Sequence, residues 1–394
     1  MIVLLGFILA IVSAILTLPA LILFAEIMST LGYRRDISQP RGPRPKVAVL
    51  MPAHDEAGGI RQSLQNLLPQ LLPTDRLVVI ADNCSDDTAS IATAAGAEVI
   101  ERRDPTKRGK GYALDFGVRH LEDNPPDVVI IIDADCCVSA GSIDILARDC
   151  HQRARPVQGL YINQAAEGAG TRTRIAAFAS LVKNKVRPTG LLTLGLPCIL
   201  MGTGMAFPWA CLRSAPLATG HIVEDVQLGF DLARRGELVH FCPDVLVTSY
   251  FPQTEDGIRS QRTRWEHGHL ALILTAAPRL LLDGLLKGQI GTMALALDQM
   301  VPPLALFVML AALNVILDGA FAVLSGHTAP FAFATAALAL VAVSVLVAWI
   351  RYGQHIISLY ALAFAPVYAV RKVPIYIGFI LARQLDWVRS KRDP

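Results

Sequence analysis

Asp133-x-Asp135 is the pattern in this chain with the plainest chemical use. Its two carboxylates follow an apolar run, Val128 to Ile132, and on a short turn both can face one cation. Hard oxygen ligands of this kind suit Mg2+ or Mn2+, which also take oxygens from a substrate phosphate. A structural loop is the competing reading of D-x-D alone, and other acidic clusters weigh against it. Asp82 closes the apolar run Leu77 to Ile80, where a carboxylate can accept hydrogen bonds from a nucleobase or ribose. Asp86 and Asp87 read instead as first-turn residues favouring a helix dipole, with Thr88 close to the cap. A third apolar run, Lys46 to Met51, ends in Pro52-Ala53-His54-Asp55-Glu56.

Four further segments carry usable groups. Lys107-Arg108-Gly109-Lys110-Gly111 is a basic, glycine-rich turn, and both a diphosphate contact and a solvated loop fit it. Gly202-Thr203-Gly204 precedes Met205 to Phe207 and reads as a flexible segment able to pass close to a ligand. Glu224-Asp225 stands just before a helix expected from Val226 to Arg235, as a capping pair or an acidic site. Gln261-Arg262-Thr263-Arg264-Trp265 sets an amide, a guanidinium and an indole close together. Arg264 suits a phosphate clamp, and Trp265 offers an aromatic face to a sugar ring.

The elements that must position these groups follow from hydrophobic pattern. Apolar strands at Lys46 to Met51, Leu77 to Ile80 and Val128 to Ile132 alternate with helices expected at Gly59 to Leu68, from Thr88, and at Tyr112 to His120. Such alternation implies an α/β fold with a mainly parallel sheet covered on both faces. Each acidic cluster then falls at a strand end, where open α/β sheets place their ligands.

At 394 residues, 53% hydrophobic and 18% charged, the chain is too apolar for one soluble domain. The excess lies at its ends, which divides it into an anchor at 1–31, a catalytic domain at 45–289, and helices with a basic tail at 290–394. Ile2 to Ala25 is long enough to cross a bilayer. It lacks the basic leader of a cleaved signal peptide, and Arg34, Arg35, Arg41, Arg44 and Lys46 follow it. By the positive-inside rule the domain after it is cytoplasmic, in a bacterial-type inner or plasma membrane. Two more spans are expected at Met293 to Leu317 and Phe331 to Ile350, with Asp318 to Pro330 as the outer loop. Ile356 to Ala382 is interrupted by Arg371, Lys372, Pro366 and Pro374, and reads as a re-entrant or interfacial pair of helices. A fourth crossing there stays open; it would carry Arg383, Arg389, Lys391 and Arg392 outside. Stretches near 175–200 and 270–286 also resemble helices lying in the interface. Seven cysteines without a C-x-x-C pair read as reduced thiols. A net charge of +3 implies no nucleic-acid partner; the basic residues beside the apolar ends suit membrane lipids.

The order of these motifs resembles family 2 glycosyltransferases with the GT-A fold, in the membrane-integrated branch of cellulose, hyaluronan and chitin-oligosaccharide synthases; ceramide glucosyltransferases are similar. The resemblance runs from about Lys46 to His269 and into the flanking membrane segments. It implies that Asp82 binds nucleotide with His54, Glu56, Lys110 and Arg264, and that Asp133 and Asp135 form the metal motif. It implies Asp225, beside Glu224, as catalytic base, and matches Gln261, Arg264 and Trp265 to Q-x-x-R-W. Gly202, Thr203 and Gly204 join that motif on the acceptor side. An inverting transfer from a nucleotide sugar, UDP by family habit, to a growing β-linked glycan is the expected reaction. A single transfer to a lipid or polyprenyl-linked acceptor is the alternative. An export partner stays open. A transporter or scaffold fits poorly, because the expected spans carry few interior charges apart from Asp298. A nucleotidyltransferase has no evident use for Q-x-x-R-W.

Overall fold

The computed structural model describes residues 2–35, 42–252 and 254–381. Two compact units emerge: an α/β unit of residues 34–166 and 196–265, and a helical unit of residues 1–33, 167–195 and 266–384, each over its described residues. The basic tail from Arg383 lies outside the described residues.

The α/β unit is built on one eight-stranded sheet. Its strands are β1 (Val47–Ala53), β2 (Arg76–Asp82), β3 (Glu98–Arg102), β4 (Val128–Ile131), β5 (Cys137–Val138), β6 (Val157–Gln164), β7 (Met205–Pro208) and β8 (His240–Tyr250). In space they run β3-β2-β1-β4-β7-β6-β8-β5. The half from β3 to β4 is parallel throughout. On the other side β7 enters antiparallel to both β4 and β6, while β6 and β8 are parallel and β5 closes the edge antiparallel to β8. The sheet is therefore mixed and mostly parallel.

β1 and β4 are buried almost from end to end, as strands covered on both faces must be. Val47, Val49 and Met51 pack in one cluster with Ile60, Leu64 and Leu67 and with Ile143, Leu146 and Ala147 of the helix Ser142–Arg153. The opposite side chain, Leu50, meets the helix Lys110–Leu121, where Gly117 lets Leu50 and Ile80 come close. The first residues beyond β1 and β2 turn sharply. Asp55 and Asn83, both non-glycine, sit in the left-handed region with φ of 53° and 52°. Such conformations persist where surroundings impose them, often at functional sites.

Met205 to Phe207, just after the glycine segment expected to be flexible, is β7: its three side chains are at most 1% exposed and its backbone is paired on both sides. The helix expected from Val226 begins two residues earlier, as Glu224–Arg234, so Glu224 and Asp225 form its first turn.

Among the described residues, four helices are long and apolar enough to cross a membrane: Ile2–Gly32, Asp256–Lys287, Leu304–Ser325 and Ala329–Gly353. These correct several expected boundaries. The run near 270–286 is part of one continuous helix, Glu255–Lys287, which also carries Gln261 to Trp265. The span expected from Met293 is split. Ile290–Gln299 stops before Pro302 and Pro303, and a new helix starts at Leu304. That helix continues to Ser325, so the loop expected from Asp318 shrinks to 326–328. Asp318 is fully buried and accepts a hydrogen bond from Ser13 at 2.6 Å. Beyond residue 358 come three short helices, Leu359–Ala363, Ala365–Val370 and Val373–Leu381. The segment near 175–200 forms Thr171–Leu181, a π-turn at Val182–Val186 and Arg187–Thr193. Its Arg187 points inward, 2.7 Å from both Glu26 and Asp298, so one guanidinium serves both acids inside the unit. A guanidinium shared by two carboxylates fits the rule that buried charge is paired.

Candidate active site

Lys110 is the hinge of the site. It is the first residue of the helix Lys110–Leu121, entered through Gly109 at φ 127°, a conformation open to glycine. Its ammonium forms a short ion pair with Asp133 and donates to the Gly202 carbonyl at 2.7 Å. Burial alone would lower its pKa, but the negative charges of Asp133, Glu224 and Asp225 outweigh that and raise it. One cation thus joins the strand-end carboxylate to the acidic pair of another helix.

Asp133 stands two residues past β4, and its backbone N–H donates to Thr203 Oγ1 at 3.1 Å. Oxygens of Asp133 and Asp135 and the Cys136 sulfur all lie within 4.8 Å of one another. Burial, and then the two neighbouring carboxylates, push the Cys136 thiol well above its ordinary pKa. It stays a neutral thiol, and the ligands on offer are carboxylate oxygens. That donor set fits a hard divalent cation rather than a thiolate-seeking one.

Glu224 and Asp225 face the same space. A cavity is lined by Lys110, Gly111, Leu217, Thr219, Glu224 and Asp225, among others. Gly111 lets its wall close. A Cβ there would stand 2.5 Å from the Leu217 carbonyl oxygen and 2.6 Å from that of Thr219. Burial, followed by the Asp225 charge, raises Glu224 to about 7, with Lys110 and Arg264 pulling the other way. Arg264 therefore acts electrostatically on Glu224.

Asp82 ends β2, and β3, which pattern reading missed, supplies its partner. Register sets Asp82 directly opposite Arg102. Arg102 Nη1 donates to Asp82 Oδ1 at 2.6 Å and Nη2 to the Lys107 carbonyl at 2.8 Å, tying the basic turn to the strand end. Burial raises the Asp82 pKa despite this partner. The His54 ring donates through Nδ1 to the Asp82 carbonyl at 2.6 Å, linking the ends of β1 and β2. The Glu56 backbone N–H donates to Thr88 Oγ1, and Asp86 accepts from the N–H groups of Thr88 and Ala57. Asp86 is thus a local cap, as its position before a helix suggests. Gln261 Oε1 is buried without a hydrogen-bond partner among the described residues, and Trp265 is half-buried.

The structure therefore gathers Lys110, Asp133, Gly202, Thr203, Glu224 and Asp225 in one place, with Arg264 acting on Glu224. Asp82 and His54 form a second cluster at the neighbouring strand ends. Arg102 joins that cluster unforeseen; the only sequence signal for it was the apolar pair inside Glu98-Val99-Ile100-Glu101-Arg102.

Acidic strand ends on a mostly parallel α/β sheet thus stand beside a lysine that also feels a helix-borne acidic pair. A solved mannosyltransferase from Pyrobaculum calidifontis, in complex with GDP-Man and Mn2+, shares the fold at TM-score 0.54 and 16% identity, over 95% of this chain and all of that one. Residues 43–268 match the family described as glycosyltransferase like family 2, and the chain belongs to that family. A probable glycosyltransferase of Bacillus subtilis, YdaM, is 26% identical over 58% of this chain and 56% of its own length. A glucosyl-3-phosphoglycerate synthase of Mycolicibacterium paratuberculosis is 29% identical over 45% of this chain and 57% of its own length. The chain thus spans little more than half the length of these two relatives. An uncharacterized glycosyltransferase of Mycobacterium bovis is 33% identical over 46% of this chain and 85% of its own length.

Proposed function

We propose that the chain is a membrane-held, metal-dependent glycosyltransferase that moves a hexosyl or N-acetylhexosaminyl group from a nucleotide sugar to a growing β-linked glycan, with inversion. The observation that carries this is Lys110, whose ammonium pairs with Asp133 of the metal-type motif and which lines one cavity with Glu224 and Asp225. Asp133 and Asp135 would hold Mg2+ or Mn2+, which when bound offsets charge on the departing nucleoside diphosphate. Lys110 and Arg264 add positive charge beside that diphosphate, where it is worth more than in water. Asp225 takes the proton of the attacking acceptor hydroxyl as general base. Burial and the neighbouring Asp225 charge raise Glu224 to about 7, so its carboxyl holds a proton more tightly than an exposed glutamate does. Asp82, His54 and Glu56 serve the nucleoside, with UDP the first donor to try. Gln261, Trp265 and Gly202 to Gly204 serve the acceptor. Membrane lipids surround the four long apolar helices, and the α/β unit faces the cytoplasm where nucleotide sugars are made.

A second reading, one transfer to a lipid or polyprenyl-linked acceptor, is favoured by the four long apolar helices among the described residues, few for a polysaccharide channel. Incubation with labelled UDP- and GDP-sugars, followed by product sizing, tests both. A ladder or high polymer supports the first reading, a single lipid-soluble product the second, and no incorporation from any donor overturns the proposal.

A further inference from the structure

Gln158 on β6 is 0% exposed, so its primary amide has no access to solvent. A buried amide needs partners for both its donors and its acceptor. Most of these come from the segment that leads into β7. Oε1 accepts from the Met201 N–H at 2.8 Å, and Nε2 donates to the Thr203 carbonyl at 2.9 Å and to that of Gly159 at 2.7 Å. The backbone alongside adds two bonds: Gly159 N–H to the Gly204 carbonyl at 2.8 Å, and Gly204 N–H to that of Ile131 at 2.9 Å. Gly202 and Gly204 hold φ of 89° and 67°, so residues 201–204 are neither helix nor strand. Their shape depends on these outside partners.

The other side of the same segment faces the site. The Gly202 carbonyl receives the Lys110 ammonium, and Thr203 Oγ1 receives the Asp133 N–H. A Cβ at Gly202 would lie 3.5 Å from Asp225 Oδ2 and 3.8 Å from Lys110 Nζ. One four-residue segment therefore touches the metal-type motif, the lysine and the surroundings of the acidic pair.

We propose that Gln158 is a positioning residue, whose amide pins residues 201–204 so that Gly202 and Thr203 hold Lys110 and Asp133 in register. An apolar side chain of similar length would fill the same space and suit the burial of β6. The amide adds what such a side chain lacks, a simultaneous acceptor for Met201 and donor for Thr203. Its effect on nucleotide binding rests on the functional reading above; its effect on the segment does not.

The full chain in detergent serves for the test, as wild type, Gln158→Met and Gln158→Glu. Hydrogen exchange is read at 199–205 and 130–136 against β1 as internal reference, and UDP and GDP with Mn2+ are titrated by calorimetry. In Gln158→Met, exchange at 201–204 and at Asp133 should quicken about tenfold or more while β1 is unchanged. Affinity for whichever nucleotide binds should fall by a similar factor. Gln158→Glu should regain affinity as pH is lowered, since a protonated carboxyl restores one donor toward Thr203; Gln158→Met should not. Wild-type exchange at 201–204 and Asp133 in Gln158→Met would overturn the inference. If wild type binds neither nucleotide, the glycosyltransferase reading fails and exchange still decides the role of Gln158.

Discussion

Replacing Lys110 with methionine keeps the aliphatic stem and removes only the ammonium. In the native site that ammonium is paired with Asp133 and hydrogen-bonded to the Gly202 carbonyl, with Glu224 and Asp225 close enough to raise its pKa. The Lys110 side chain is 15% exposed and that of Asp133 31%. Breaking a fully buried pair costs about 3–5 kcal/mol, and partial exposure of Asp133 reduces this to on the order of 2 kcal/mol. For an α/β unit of this size that corresponds to a fall of roughly 4–8 °C in thermal midpoint. The loss should be reversible by metal. Without the lysine, Asp133 is left to a cation, so Mn2+ should raise the midpoint of Lys110→Met more than that of wild type. The assay is thermal unfolding of the full chain in detergent, with and without Mn2+. An unchanged midpoint, or the same response to Mn2+ in both proteins, would refute the assignment of Lys110 as the bridge between the carboxylate clusters.

Asp225→Asn should lower turnover by about a hundredfold or more with nucleotide affinity nearly intact, because only the base is lost; most of the turnover surviving in a folded variant would remove Asp225 from the mechanism. Glu224 titrates near 7 in the native state against an ordinary 4.5. The native state therefore binds the proton more tightly, so this group's stabilisation is complete below the unfolded value and is lost as pH rises through about 7. Between roughly pH 5 and pH 8, thermal midpoints should fall more for wild type than for Glu224→Gln, and equal falls would count against a protonated Glu224. For orientation, a cysteine at Ser325 in a cysteine-depleted chain should react with an impermeant label on intact cells. Cysteines at Ser38 and Ser390, both outside the described residues, should stay protected; reaction at Ser38 would reverse the topology.

The central strands were readable because they are covered on both faces, so Val47 to Met51 and Val128 to Ile131 are nearly unbroken apolar runs. β3 escaped notice as an edge strand whose Glu98, Glu101 and Arg102 break the pattern. β7 was not foreseen, since the glycines before it read as a flexible segment, yet the positive-φ turns of Gly202 and Gly204 deliver the chain into a buried antiparallel pairing. Only the part of the helix Glu255–Lys287 near 270–286 was foreseen, because its apolar run begins beyond the mostly polar stretch Glu255 to His269. Candidate site residues were legible by type and by place at strand ends. Their partners were not, since Asp82 meets Arg102 only through the register of two strands and Lys110 meets Asp133 only through the sheet order.

The measurement that bears most directly on the central claim is sugar transfer by the purified full chain in lipid nanodiscs. Labelled UDP- and GDP-sugars are supplied with Mn2+, with EDTA, or to Asp135→Asn protein. The account predicts incorporation from one donor that EDTA abolishes, that Mg2+ or Mn2+ restores and Zn2+ restores poorly, and that Asp135→Asn lacks. Undiminished transfer in metal-stripped protein, or in a folded Asp135→Asn variant, would contradict it.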